Sequence, residues 1–171
     1  MNSHDKSRSS AQFYAVGLVL AAILFCASSR PAFGQERSAD RDNPTLLNSN
    51  EINDDLDGSD DEYFYKFSAG PGKLTLTFEV KASGTNAGAT LDLFDAKSRP
   101  ILSSVLAQGV DGGSERVVKS IQITGRRDIL MRIKGIKYGD SGGTGIYKVR
   151  LGGAVSFNQD KAPGAGTASS R

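Results

Sequence analysis

Asp60-Asp61-Glu62-Tyr63-Phe64-Tyr65-Lys66-Phe67 is followed, after Ala69-Gly70-Pro71-Gly72, by Leu74-Thr75-Leu76-Thr77-Phe78-Glu79-Val80. In the first run Tyr63, Tyr65 and Phe67 alternate with Phe64 and Lys66. In the second, Leu74, Leu76, Phe78 and Val80 alternate with Thr75, Thr77 and Glu79. A period of two sends successive side chains to opposite faces of a strand, so each run predicts a strand with one buried and one wet face. The Gly-Pro-Gly between them breaks the strand.

The same signal recurs downstream. Residues 90–95 read as a short strand, and residues 96–100 turn the chain into another at 101–106. Val117, Lys119, Ile121 and Ile123 oppose Val118, Ser120 and Gln122. Gly125-Arg126-Arg127-Asp128 turns again, Ile129, Met131 and Ile133 alternate with Leu130, Arg132 and Lys134, and residues 146–151 close the series. Glycine-bearing stretches at 81–89, 109–114 and 138–145 read as loops. From residue 35 onward no apolar set recurs at helical spacing over three turns. Seven or eight short strands with turns between them predict an all-β chain, an antiparallel sandwich or barrel. The expected inward set is Tyr65, Phe67, Leu76, Phe78, Leu91, Leu93, Ile121, Ile123, Met131, Ile133, Tyr147 and Val149. At roughly 1.5–3 kcal/mol for each large apolar side chain buried, that set offsets the ordering entropy of one domain.

The ends differ from the middle. Lys6 and Arg8 precede an apolar run at 15–27, and Ala32-Phe33-Gly34 then places small residues around one spacer. That order predicts a secretory signal peptide over 1–34, with a mature start at Gln35 and a secreted or periplasmic protein. The other readings are an uncleaved anchor, or a lipoprotein cysteine at Cys26, where the preceding Phe25 is bulky for that role. Residues 35–42 read as a polar leader, 43–154 as the folded domain, and 155–171, rich in Gly, Ala and Ser, as a disordered tail. Without residues 1–34 the chain has 18 basic and 18 acidic residues and loses its one His and one Cys. A balanced charge gives no drive toward nucleic acid or an anionic membrane. The absence of cysteine rules out a disulfide in that mature chain. A monomer is expected.

The motifs at 60–67, at Gly70-Pro71-Gly72-Lys73-Leu74-Thr75-Leu76, at Leu91-Asp92-Leu93-Phe94-Asp95 and at Gly145-Ile146-Tyr147-Lys148-Val149 come in an order that resembles the bacterial pre-peptidase C-terminal domain. The likeness spans about residues 43–153. It implies a secreted, non-catalytic β-sandwich of jelly-roll type, usually attached behind a peptidase. Its relatives include collagen-binding modules that bind calcium through acids in the N-terminal segment. This chain has no peptidase, and Glu62 stands where the family commonly has Asp.

Three constellations carry candidate chemistry. Seven of the twelve residues at 51–62 are acidic and none is basic. Glu51, Asn53, Asp54, Asp57, Asp60 and Asp61 are the candidate calcium ligands, since calcium takes six to eight oxygens; a solvated acidic turn is the plainer reading. Tyr63, Phe64 and Tyr138 are candidate ligand-binding aromatics, with rim packing as the alternative. Gly139-Asp140-Ser141-Gly142-Gly143 repeats a serine-protease string, but a serine nucleophile of that kind needs a histidine base. The sequence therefore predicts a non-catalytic binding or accessory module for an extracellular protein or polysaccharide, with calcium as its expected cofactor. A scaffold protein of the cell envelope is the alternative.

Overall fold

A computed structural model describes residues 37–139 and 143–157. Every regular element among them is a strand: β1 (Thr45–Leu46), β2 (Glu51–Asp57), β3 (Glu62–Ala82), β4 (Asn86–Asp95), β5 (Pro100–Val110), β6 (Ser114–Ile123), β7 (Arg127–Gly135) and β8 (Thr144–Ser156). The expected signal peptide with Cys26, the tail from 158 onward, and Asp140, Ser141 and Gly142 lie outside the described residues.

Residues 60–67 and 74–80, read as two runs, fall almost wholly in one strand of 21 residues, β3, bent at its middle. Gly70 and Gly72 hold φ angles of 88° and 133°, which glycine alone adopts readily, and the Gly70–Pro71 peptide is cis. A methyl on Gly70 would run into the Ile123 side chain and stand 2.7 Å from the Gly125 carbonyl oxygen. The bend lets β3 serve two layers. Residues 62–69 pair with β7, which continues to β4 and β5. Residues 72–82 lie between β6 and β8, and β8 continues to β2. The layers are thus β3-β7-β4-β5 and β2-β8-β3-β6. With each half of β3 counted as a strand, this is jelly-roll order, and all these pairs are antiparallel. Only the short β1 lies parallel, beside Tyr65 and Lys66.

Side chains from both layers meet in one core. Tyr65, Leu74, Leu76, Phe78, Leu91, Leu93, Ile129, Met131, Ile133, Tyr147 and Val149 are fully or almost fully buried there. Ile121 is only partly buried, because β6 is an edge strand. The Tyr65 and Tyr147 hydroxyls hydrogen-bond each other at 2.7 Å, so each polar tip is satisfied inside the core. Three expected boundaries move. The loop at 81–89 shrinks to 83–85, since Ala87 and Ala89 fill the core from β4. The loop at 109–114 shortens because β5 continues to Val110. Strand β8 continues to Ser156, and Val155 and Phe157 pack on the core, beyond the expected boundary at 154.

Candidate functional site

The acidic stretch is β2, and its pairing separates the carboxylates. Ile52, Asp54 and Leu56 face one way; Glu51, Asn53, Asp55 and Asp57 face the other and are exposed. Asp54 meets Arg37 at 3.3 Å, and Arg37 also donates to the Asp55 carbonyl oxygen at 2.8 Å. Glu51 takes Arg150 at 2.7 Å and Lys148 at 3.5 Å; the Arg150 hydrogen bond holds its carboxyl below the usual range. Asp57 accepts from the Ser59 hydroxyl and backbone N–H at 2.6 and 3.0 Å, which lowers its pKa as well. Asp60 and Asp61 follow on the exposed turn. Among the described residues, no three His, Cys, Asp or Glu side chains gather in a way that could hold a metal. Glu51, Asn53 and Asp57 stand on the exposed face of β2, Asp54 on the other, and Asp60 and Asp61 on the turn that follows, because side chains alternate along a strand.

Alternation also divides the aromatics. Tyr63 points to the core side, is half-buried, and lies under the Arg37 guanidinium at 4.4 Å; burial pushes its hydroxyl pKa up. Phe64 points to the outer face of the β3-β7-β4-β5 layer but is only 6% exposed. The segment before β1 bridges to it, with the Phe64 N–H donating to the Ser38 carbonyl oxygen at 2.8 Å. Phe64 is thus a covered packing residue, not the accessible ring expected. Tyr138 lies over Gly88 of β4, where any side chain would collide with its hydroxyl, and hydrogen-bonds Gln108 at 2.7 Å.

The same outer face carries an ion-pair lattice. Asp92, 5% exposed, accepts from the Ser104 N–H at 2.8 Å and from Arg132 at 2.9 and 3.2 Å. Ser104 sits in a bulge of β5 with φ 53°, so the carboxylate also holds a strained backbone position. Glu62 joins Arg132 and Lys134 at 3.3 and 3.2 Å. Phe94 lies beneath two guanidinium groups, Arg41 at 5.5 Å and Arg132 at 5.7 Å, both within cation–π reach.

Beside this lattice is a cleft of about 270 Å³. Arg41, Asp42 and Pro44 come from the segment before β1, Lys66 from β3, Asp95 from the end of β4, Ala96 and Ser98 from the β4–β5 turn, and Asp128 to Leu130 from β7. Lys66 and the Ser68 hydroxyl hold Asp128 at 2.9 and 2.8 Å and keep its carboxyl below the usual range. Asp95 accepts from the Arg99 side chain at 2.6 and 2.7 Å and from the Arg99 and Lys97 backbone N–H groups, each at 2.9 Å. Those bonds, the Arg99 side chain first, depress its pKa too. The walls therefore alternate donors and acceptors around the apolar surface of Pro44, Ala96 and Leu130. Both Asp95 and Asp128 are held ionised, whereas a general acid at neutral pH needs a raised pKa. The sequence placed none of these residues in a candidate site, although Lys66 and Asp95 lie in the motifs quoted above; the usable signal was the turn chemistry of Asp95-Ala96-Lys97-Ser98-Arg99.

No family model matches the chain, and no curated protein does. Among solved structures it is similar to the CBM36-1 domain of a multidomain xylanase from the hindgut metagenome of Trinervitermes trinervoides, at 15% identity and a TM-score of 0.42, over 70% of this chain and 91% of that one. The CBM22-1 xylan-binding domain of Paenibacillus barcinonensis Xyn10C matches at 9% identity and a TM-score of 0.38, over 68% and 79% of the two chains. A CBM4 structure matches at 10% identity and a TM-score of 0.31, over 67% and 87%.

Proposed function

We propose that this chain is a secreted, non-catalytic module of the pre-peptidase C-terminal type that binds polysaccharide in the cleft between Arg41, Lys66, Asp128 and the β4–β5 turn. The observation that carries the reading is the make-up of that cleft. A sugar ring offers hydroxyls around its rim and C–H groups on its faces. The cleft offers Arg41 and Lys66 as donors, Asp42 and Asp128 as acceptors, and Pro44 and Leu130 as apolar contact. Ligand pockets for drug-sized molecules run roughly 300–1,000 Å³, so this one suits a single ring of a longer chain. Its groups stand on strands and on a turn closed by Asp95, which favours preorganisation. The depressed pKa values of Asp95 and Asp128 favour binding over hydrolysis. The N-terminal pattern at 1–34 supports export.

Affinity electrophoresis of the mature chain in gels containing soluble polysaccharides tests the reading. Retardation is expected, and Arg41→Ala with Lys66→Ala should weaken it about tenfold, or about 1.4 kcal/mol. A module retarded by no polysaccharide but retained on matrix proteins would overturn the ligand class. N-terminal mass analysis of the exported protein checks the expected start at Gln35; a chain still beginning at Met1 would remove the export step.

A further inference from the structure

The Asp95–Arg99 turn has two sides. One wall faces the cleft already described. The other borders a second cleft of about 290 Å³, formed by Ala96, Lys97 and Arg99 of this turn, Gly125 and Arg126 of the β6–β7 turn, and Arg127 at the start of β7. Asp95 and Ala96 line both, so the two clefts are neighbours across one turn.

Their charges differ. In the first, Lys66 is paired with Asp128 and Asp95 with Arg99, and Arg41 and Asp42 line it with opposite charges. In the second, Lys97 and Arg126 are exposed and form no ion pair among the described residues. Arg127 donates only to neutral oxygens, the Thr124 hydroxyl at 3.2 Å and the Gly125 carbonyl. The Asp95 carboxylate there is already taken by Arg99. Lys97, Arg126 and Arg127 thus face this cleft with no ion pair among the described residues, and Arg126 reaches the Asp128 carboxylate of the neighbouring cleft only as a longer-range charge that helps lower its pKa.

We propose that the two clefts form adjacent subsites for an acidic polysaccharide: a neutral unit sits between Arg41, Lys66 and Asp128, and a carboxylate- or sulfate-bearing unit sits against Lys97, Arg126 and Arg127. The proposal rests on the polysaccharide reading of the first cleft and names the class of chain. Guanidinium groups bind planar anions with paired hydrogen bonds, and the exposed turn leaves Arg126 free to adjust. Nucleic acid fits less well. It carries a charge at every unit, and a second phosphate would meet Asp42 and Asp128 in the balanced cleft.

The test is affinity electrophoresis of the full mature chain in five gels or mixtures: hyaluronan, a sulfated dextran, unmodified dextran, single-stranded DNA, and vesicles of mixed anionic and neutral phospholipid. Hyaluronan, whose charged and neutral units alternate, should retard the chain, with sulfated dextran separating the sulfate source of the anion from the carboxylate source. The exposed, unpaired residues allow a double variant, Lys97→Ser with Arg126→Ser, that leaves the melting temperature unchanged. It should lose about tenfold in affinity for the acidic chain and reduce the salt slope by roughly two, while Arg126→Lys in an otherwise native chain keeps most of the binding. Retardation by unmodified dextran alone leaves the first cleft a sugar site and overturns the acidic subsite. Acidic-chain binding that the double variant does not change, or stronger retardation by DNA or vesicles, overturns it as well. No retardation in any polysaccharide gel removes both readings.

Discussion

Removing the Arg132 guanidinium strips Asp92 of its charged partner. The Asp92 side chain is only 7% exposed and Arg132 is 31% exposed, so this is a half-buried pair. Breaking a fully buried pair by deleting one partner costs about 3–5 kcal/mol, because the survivor stays desolvated and unpaired. Water at the Arg132 end and the surviving Ser104 N–H bond reduce that here, to roughly 2–4 kcal/mol. For a domain of this size each kcal/mol moves the melting temperature by about 4 °C, so Arg132→Met should melt roughly 8–16 °C lower. Arg132 also meets Glu62 and Phe94, so the single variant overstates the pair. A thermodynamic cycle of Arg132→Met, Asp92→Asn and the double variant, followed by circular dichroism and calorimetry, isolates it. A coupling of about 1–3 kcal/mol is expected. A coupling below about 0.5 kcal/mol would mean that water screens the pair, and the reasoning from burial would fail.

Alkaline pH should unfold the protein through its tyrosine pair. Burial raises the Tyr65 pKa from 10.0 to about 12 and pushes Tyr147 in the same direction, so the fold favours both protonated forms. The stability they contribute is complete below pH 10 and is lost as pH rises through about 12 for Tyr65, with a slope of up to about 1.4 kcal/mol per pH unit for each tyrosine; Tyr65→Phe with Tyr147→Phe should flatten a denaturant-midpoint profile over that range, and an unchanged profile would refute it. Gly70→Ala should destabilise by about 2 kcal/mol or more, since its φ and its neighbours both oppose a Cβ, while Gly84→Ala, with open space around it, should be neutral in the same urea titration. Millimolar calcium and EDTA should give the same melting curve, because the acids of β2 are split between two faces; a calcium-dependent gain of several degrees would show that the six residues reach one ion after all.

The sequence determined the all-β class by itself, because each strand writes its two faces into its alternation. Tyr65, Leu76, Leu91, Met131 and Val149 could be assigned inward without coordinates for that reason. The opposite phases of Tyr63 and Phe64 were legible too, but not what covers Phe64, since the segment around Ser38 reaches it from 26 residues away. Alternation within the acidic stretch was equally present at 51–57, so its division between two faces was legible as well. Only the tertiary structure decided which of those carboxylates keep company, and with which cations. It alone brought Arg41, Lys66, Asp95 and Asp128 around one cleft, and Lys97 and Arg126 around the next. Each of these charges looks like an ordinary solvated residue in the chain. Their meeting depends on the jelly-roll crossing that sets the β4–β5 turn beside β7 and the β6–β7 turn, and no local periodicity encodes that crossing.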